Sequence, residues 1–179
     1  MPESFDEHFM RIALREAAKA AEEGEAPLGC VVVEPGVLEP AHDGRPPVFD
    51  PDPARARILG RDRNRTERLN DATAHAEMLA LGAAFSARGS WRLGGTRIYA
   101  TKEPCPMCAG AISLARPDAV VWGVSDPKRG GGTVFGIFSH PGMNHRPETV
   151  AGVLEEEAVS LLKEFFAARR IEKERLGKG

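Results

Sequence analysis

Cysteine is scarce and odd in number, with three in 179 residues. A disulfide framework needs pairs, so these thiols point to metal binding or catalysis by at least two of them. Long apolar runs are missing too, and those present are too short and too often interrupted to span a bilayer. The opening Met1-Pro2-Glu3-Ser4 has no basic stretch followed by an apolar segment, so no secretory signal is expected. A cytoplasmic protein with reduced thiols follows as the expectation. An excess of one charge is also lacking: a formal net charge of −2 and a pI near 6.2 do not mark a nucleic-acid binder. Any RNA contact would have to come from a local basic patch. One exists near the C-terminal end, where Arg169, Arg170, Lys173, Arg175 and Lys178 outnumber Glu172 and Glu174.

What is present is the composition of an ordinary globular protein, 42% hydrophobic and 28% charged. The length suits one domain over residues 1–179, and there is no internal repeat. Ser4 with Glu7 has the form of a capping box, and Phe5, Phe9, Ile12 and Ala13 recur at helical spacing until Gly24. Leu28 to Val33, a β-branched run between Pro27 and Pro35, predicts a buried strand. Residues 34–56 then lose all periodicity, with Pro35, Gly36, Pro40, Gly44, Pro46, Pro47, Pro51 and Pro53. They are expected to form a long surface insertion between two hairpin strands, the second near Arg57–Arg61.

A polar segment through Asn70 leads to a helix over about Ala74–Arg88, with Thr73 or Asp71 as its cap and Gly89 as its stop. Rich in Ala, Leu and Met, this helix is expected to be buried nearly all round. Thr96–Thr101 predicts a strand, Pro106–Ala115 a short helix ended by Arg116-Pro117, and Ala119–Val124 another strand. Gly130–His140 is expected to be a loop, followed by a strand near Glu148–Val153 and a helix from about Leu154 to Arg175. The βαβαβ order predicts an α/β layered sandwich whose later strands run parallel.

Two short patterns carry the chemistry. They are His75-Ala76-Glu77, opening the second helix, and Pro104-Cys105-Pro106-Met107-Cys108, opening the third. Cys105 and Cys108, three apart at a helix N-terminus, lie about one turn apart on the same face, within reach of one tetrahedral ion. The positive helix end favours their thiolates. Pro106 suits the first helical position, where its missing N–H has no intrahelical partner. Two thiolates and one imidazole leave a fourth position for water, as in catalytic zinc sites, where the pKa of water falls from about 15.7 to roughly 7. Glu77, two residues beyond His75, then sits beside the metal as a general acid–base. A C-x-x-C pair alone could equally be a structural half-site or a thioredoxin-like redox pair, but redox chemistry gives no role to His75 and Glu77. Cys30, on the first strand, is expected to be a packed core thiol.

H-x-E followed by P-C-x-x-C is the signature of zinc deaminases that act on nucleobases. Beyond it, most of the chain resembles the bacterial tRNA adenosine deaminases of the cytidine/deoxycytidylate deaminase superfamily. The matching stretches are Thr73-Ala74-His75-Ala76-Glu77, Glu103-Pro104-Cys105 and Met107-Cys108-Ala109-Gly110-Ala111. Also similar are His140-Pro141-Gly142-Met143-Asn144-His145-Arg146, and Phe165-Phe166 followed by Arg169-Arg170.

This resemblance implies a three-layer α/β/α cytidine-deaminase-like sandwich with a mixed five-stranded sheet, one Zn2+ per chain, and a homodimer acting on the tRNA anticodon loop. It implies that Asn64, Ala76 and Pro104 contact the target nucleoside, that Asp126 and Lys128 meet the neighbouring nucleotide, and that Asn144, Phe166 and Arg170 line the RNA surface. The structural alternatives are that Asp126 begins a turn at Asp126-Pro127, Asn64 ends a strand, and Phe165 or Phe166 is core. Three features depart from the family pattern: the long insertion at 34–56, Lys102, and Gly130-Gly131-Gly132.

The function implied is hydrolytic deamination of adenosine to inosine at the tRNA wobble position. An anticodon-loop base is already unpaired and can be splayed into a pocket at modest cost. The alternatives are a deaminase of free guanine or cytosine, and a zinc-stabilised RNA-binding subunit without catalysis, against which the intact Glu77 argues.

Overall fold

The computed structural model describes residues 3–40, 42, 43, 45 and 47–177; Gly44, Pro46 and Lys178, singled out above, lie outside the described residues. Helix α1 (Phe5–Glu22) opens on the expected capping box: Glu7 N donates to Ser4 Oγ at 3.2 Å, and Ser4 N donates to the Glu7 carboxylate at 2.8 Å. Strand β1 (Gly29–Glu34) follows, and β4 (Arg57–Arg63) pairs with it antiparallel. The insertion lies between these two strands, as expected. It is not structureless, however, for it carries a small hairpin of β2 (Val37–Glu39) and β3 (Val48–Phe49) and a 3-10 turn at Pro53–Arg55. Its periodicity is hidden because the two strands hold only three and two residues.

Two more helices, α2 (Thr66–Leu69) and α3 (Ala76–Arg88), lead to strand β5 (Arg97–Lys102). Helix α4 (Pro106–Ala115), strand β6 (Ala119–Val124), strand β7 (Glu148–Ala151) and helix α5 (Glu155–Leu176) complete the order. The main sheet runs β4-β1-β5-β6-β7. β1 is antiparallel to both of its neighbours, whereas β5, β6 and β7 are parallel. This is the mixed five-stranded sheet and the parallel second half expected from the sequence.

Consecutive strand residues point to opposite faces, so Val31-Val32-Val33 feeds two cores at once. Val31 and Val33 join Phe9, Met10, Tyr99 and Val121 beneath α1, with Val153 and Leu154 at the start of α5. Val32 joins Leu81, Ile98, Ile112 and Val120 beneath α3 and α4. Helices therefore cover both faces, giving three layers.

Three expectations need correction. Helix α3 begins at Ala76, two residues late, with His75 as its N-cap. Thr73 and Asp71 do not cap it; Asp71 Oδ1 instead accepts Thr73 N at 2.8 Å and Thr73 Oγ1 at 2.7 Å, closing a local turn. Helix α3 is also not buried all round, because Gly82, Ala83, Ser86 and Ala87 are exposed on a face that no other element among the described residues covers. Strand β7 stops at Ala151, since Gly152 adopts a positive φ of 83° and Leu154 one of 53° as the chain turns into α5.

Candidate metal and deaminase site

Two helix N-termini converge at the site. His75 and Cys105 are the N-caps of α3 and α4, each with extended backbone and neither making a side-chain cap bond. Their side chains are thus free to meet each other, and Cys108, one turn into α4, joins them. Cys105 Sγ lies 3.6 Å from His75 Nδ1, Cys108 Sγ lies 3.5 Å from the same nitrogen, and the two sulfurs are 3.7 Å apart. A tetrahedral ion with Zn–S near 2.3 Å and Zn–N near 2.0–2.1 Å requires S–S edges of about 3.8 Å and S–N edges of about 3.6 Å. The triangle already has zinc dimensions. It is also the only such three-residue cluster among the described residues.

The donor chemistry agrees. The Cys105 thiol is pushed down to about 3, first by its hydrogen bond with Cys108 and then by that with His75. Cys108 is pushed up, first by the same hydrogen bond with Cys105 and then by burial. A divalent cation binds both sulfurs as thiolates, so metal binding releases their protons. Cys30 is fully buried in the core beneath α3 and α4 and stands outside the cluster, as expected. Burial holds its thiol well above the ordinary value.

Glu77 sits in the first turn of α3 and is only 7% exposed. Burial pushes its carboxyl up, while His75 pulls the other way. A carboxyl with a raised pKa beside a ligand set is suited to taking and returning a proton.

The other expected residues fall into two groups. Ala76, Pro104, Asn64 and Asp126 are buried, the first two as chain neighbours of His75 and Cys105. Arg65 N donates to Ala74 O at 3.0 Å, which fixes the segment carrying Asn64 beside that carrying His75. Asn64 itself lies one residue past the end of β4, and its Nδ2 donates to Glu25 at 3.0 Å and to Thr66 Oγ1 at 3.1 Å. Asp126 does begin a turn: its Oδ1 accepts Lys128 N at 2.9 Å and Arg129 N at 3.0 Å. The second group, Lys128, Asn144, Phe166 and Arg170, is exposed and is not drawn into the cluster. Phe166, 49% exposed, is not a core residue, whereas Phe165 is half-buried.

Three residues to which the sequence assigned no role hold the site together. Glu25, buried at 1% exposure, accepts Asn64 Nδ2, Glu67 N at 3.3 Å and Arg68 N at 2.7 Å, and so caps α2 and holds Asn64 together. Glu103, also buried, accepts Asp126 N at 2.8 Å, Gly132 N at 3.1 Å and Thr133 N at 2.7 Å. Lys102 forms an ion pair with Asp126. The glycine run finds its reason here. A Cβ on Gly130 would stand 2.4 Å from a Glu103 oxygen, and one on Gly131 would stand 2.5 Å from Ala109 Cβ and 2.8 Å from Pro104 O. Only glycine lets this turn lie against the metal loop. An acidic residue adjoining a Pro-Cys motif was the one signal available for Glu103.

Comparison with known proteins agrees with this geometry. The family described as the cytidine and deoxycytidylate deaminase zinc-binding region matches residues 3–124. The tRNA-specific adenosine deaminase of Bacillus subtilis (strain 168) is 41% identical over 169 residues, covering 94% of this chain and 92% of its own. A solved structure from work on A-to-I editing by tRNA:A34 deaminases at the wobble position of transfer RNA is 39% identical, with a TM-score of 0.70, covering 87% of this chain and 99% of that one. A guanine deaminase from Nitrosomonas europaea, at 19% identity and a TM-score of 0.68 over 90% of this chain and 84% of its own, shares the fold alone. The chain belongs to the zinc-dependent cytidine and deoxycytidylate deaminase family and, within it, to the tRNA-specific adenosine deaminases.

Proposed function

We propose that this chain, as one domain over residues 1–179, deaminates adenosine to inosine at the wobble position of tRNA in the cytoplasm. The observation that carries the proposal is the zinc-sized triangle of His75, Cys105 and Cys108 beside buried Glu77, in a chain kin to tRNA-specific adenosine deaminases. When bound, zinc supplies water activated to react near neutral pH. With zinc held by His75, Cys105 and Cys108, Glu77 would take one proton from the attacking water and pass it to the ring nitrogen of the base, then take the second from the new hydroxyl and pass it to the amine, which leaves as ammonia. Asn64, Ala76 and Pro104 hold the nucleoside, Asp126 and Lys128 face its neighbour, and Asn144, Phe166 and Arg170 follow the anticodon loop. Arg169 supports this last role by donating to Gly24 O at 2.8 Å, which draws the end of α5 to the turn carrying Glu25 and hence toward Asn64.

The uncovered face of α3 supports the homodimer. Met78, Phe85, Trp91, Ala111 and Leu114 form a continuous apolar depression across α3 and α4, with Trp91 56% and Leu114 69% exposed. A patch of this kind on a monomer marks an interface. No helix among the described residues is long and apolar enough to cross a membrane. The deciding experiment presents zinc-loaded protein with an anticodon stem-loop and, separately, with free adenine, guanine and cytosine. Inosine formation in the stem-loop is expected, without turnover of free bases. Turnover of guanine or cytosine alone would refute the tRNA proposal.

A further inference from the structure

Asn64 is only 4% exposed, and both N–H groups of its side chain are taken within the chain. Its Nδ2 donates to the Glu25 carboxylate at 3.0 Å and to Thr66 Oγ1 at 3.1 Å, while the Thr66 hydroxyl donates at 3.4 Å to the same Glu25 oxygen. A carboxylate only accepts hydrogen bonds, so the nitrogen of the Asn64 amide, and not its oxygen, must face Glu25. Asn64 Oδ1 is left over. Among the described residues no donor meets that oxygen, and it is not one of the buried atoms without a partner, so it is open to the surface.

Glu25 also accepts Glu67 N and Arg68 N, which have no partner inside the short helix α2. Those two bonds alone would make it a cap. A cap has no need of a side-chain amide, however, and the Asn64 amide is aimed by a group that is itself fixed. Glu25 is buried, and its N–H donates to Ala20 O at 2.9 Å directly after the left-handed turn at Gly24. The backbone of Asn64 is held as firmly. Asn64 N donates to Leu28 O at 3.0 Å, and the bond from Arg65 N to Ala74 O sets this segment beside the one that carries His75.

We propose that Glu25 is a positioning residue for deamination: by claiming the amide nitrogen of Asn64 it fixes the amide in one orientation and leaves an acceptor, Oδ1, for the bound nucleoside. This rests on the proposal above that Asn64 holds the nucleoside. It follows that Asn64 reads a hydrogen-bond donor of the nucleoside, an exocyclic N–H or a ribose hydroxyl, and not a ring nitrogen, which would need a donor from the protein. Glu25 touches no substrate and acts only through Asn64.

The test exchanges the two groups. In Glu25→Gln an NH2 meets the Asn64 NH2, so Asn64 turns its oxygen inward and presents a donor to the nucleoside. Asn64→Asp alone sets two carboxylates against each other. The double variant Glu25→Gln/Asn64→Asp rebuilds the donor–acceptor pair in reverse and again leaves an oxygen for the nucleoside. With zinc-loaded protein and an anticodon stem-loop, each single variant should raise KM roughly tenfold with kcat within about threefold, near the worth of one lost hydrogen bond. The double variant should return KM most of the way to the wild-type value. A Glu25 that is merely a cap would lower the melting temperature of Glu25→Gln without moving KM, and a double variant no better than the singles would equally overturn the proposal. One measurement needs neither a variant nor a substrate: in wild type the side-chain amide protons of Asn64 should exchange with solvent roughly tenfold or more slowly than those of exposed Asn70. Exchange as fast as at Asn70 would overturn the proposal even if the variants failed to fold. Slow exchange in a wild type that leaves the stem-loop unreacted would overturn the tRNA proposal and leave the aimed amide standing.

Discussion

Thr133 is tied twice to Glu103, its N–H donating to Oε1 at 2.7 Å and its hydroxyl to Oε2 at 3.0 Å. Because Glu103 lies two residues before Cys105, these bonds fasten the glycine-rich turn to the metal loop. Glu103→Gln replaces one acceptor with a donor and sets it against a buried N–H. Such a mismatch costs about 1–3 kcal/mol. The melting temperature of the zinc-loaded protein should fall by several degrees, with zinc still bound and turnover reduced. An unchanged melting temperature would mean the turn holds its place without Glu103.

The metal ligands predict a clean division among the three cysteines. Purified protein should hold about one zinc per chain, and Cys105→Ala or Cys108→Ala should lose both metal and stability, because binding is coupled to folding. Cys30→Ala should keep its zinc, since Cys30 is buried in the core away from the cluster. Metal analysis of the three variants decides this, and stoichiometric zinc in Cys105→Ala would rule out the assignment.

Glu77 separates catalysis from structure. Glu77→Gln should bind zinc and fold, yet lose roughly 10²–10⁴-fold in turnover, the usual worth of general acid–base help. Glu77→Ala should be at least as slow. If either variant turned over stem-loop at near the wild-type rate, another group would have to move the protons.

Sequence legibility followed the range of the interactions involved. Leu28–Val33, Ala119–Val124 and the ligand motifs are local patterns, since a buried strand is a run of apolar residues and two ligands one helical turn apart are a fixed spacing. The elements missed depend on distant partners. Helix α2 has four residues and is capped by Glu25, some forty residues earlier in the chain. The start of α3 differs from its sequence expectation because Asp71 and Thr73 look like caps but bond to each other, while His75, a poor N-cap by type, occupies the position with its ring facing the thiols. The roles of Lys102 and the glycine run became visible only once β5 and β6 were seen side by side. The open face of α3 could not be read from its apolar composition, which is the same whether the covering surface is this chain or a second copy.

Tyr99 is the chain's single tyrosine, so its ionisation can be followed without assignment. Its ring is fully buried in the core beneath α1, its hydroxyl donates to Asp6 Oδ1 at 2.8 Å, and Arg97 Nε donates to its oxygen at 3.2 Å. Burial first, and then the Asp6 carboxylate, push the hydroxyl well above its ordinary value, with Arg97 opposing. The sign follows from linkage: when folding raises a pKa, the unfolded state loses its proton at lower pH than the native state. The resulting stability is fully present below about pH 10, the unfolded value for tyrosine, and is lost progressively as pH rises through the native one. Tyrosinate absorbance should therefore appear only together with the loss of native circular dichroism, and not as a separate earlier step near pH 10. Tyr99→Phe should be less stable at neutral pH by about 1 kcal/mol, for the lost hydrogen bonds, yet less sensitive to alkali over the range in which unfolded tyrosine ionises. A tyrosinate signal near pH 10 from protein with intact native circular dichroism would show that the hydroxyl reaches solvent, and that the contact between α1 and β5 through Asp6 is open in solution.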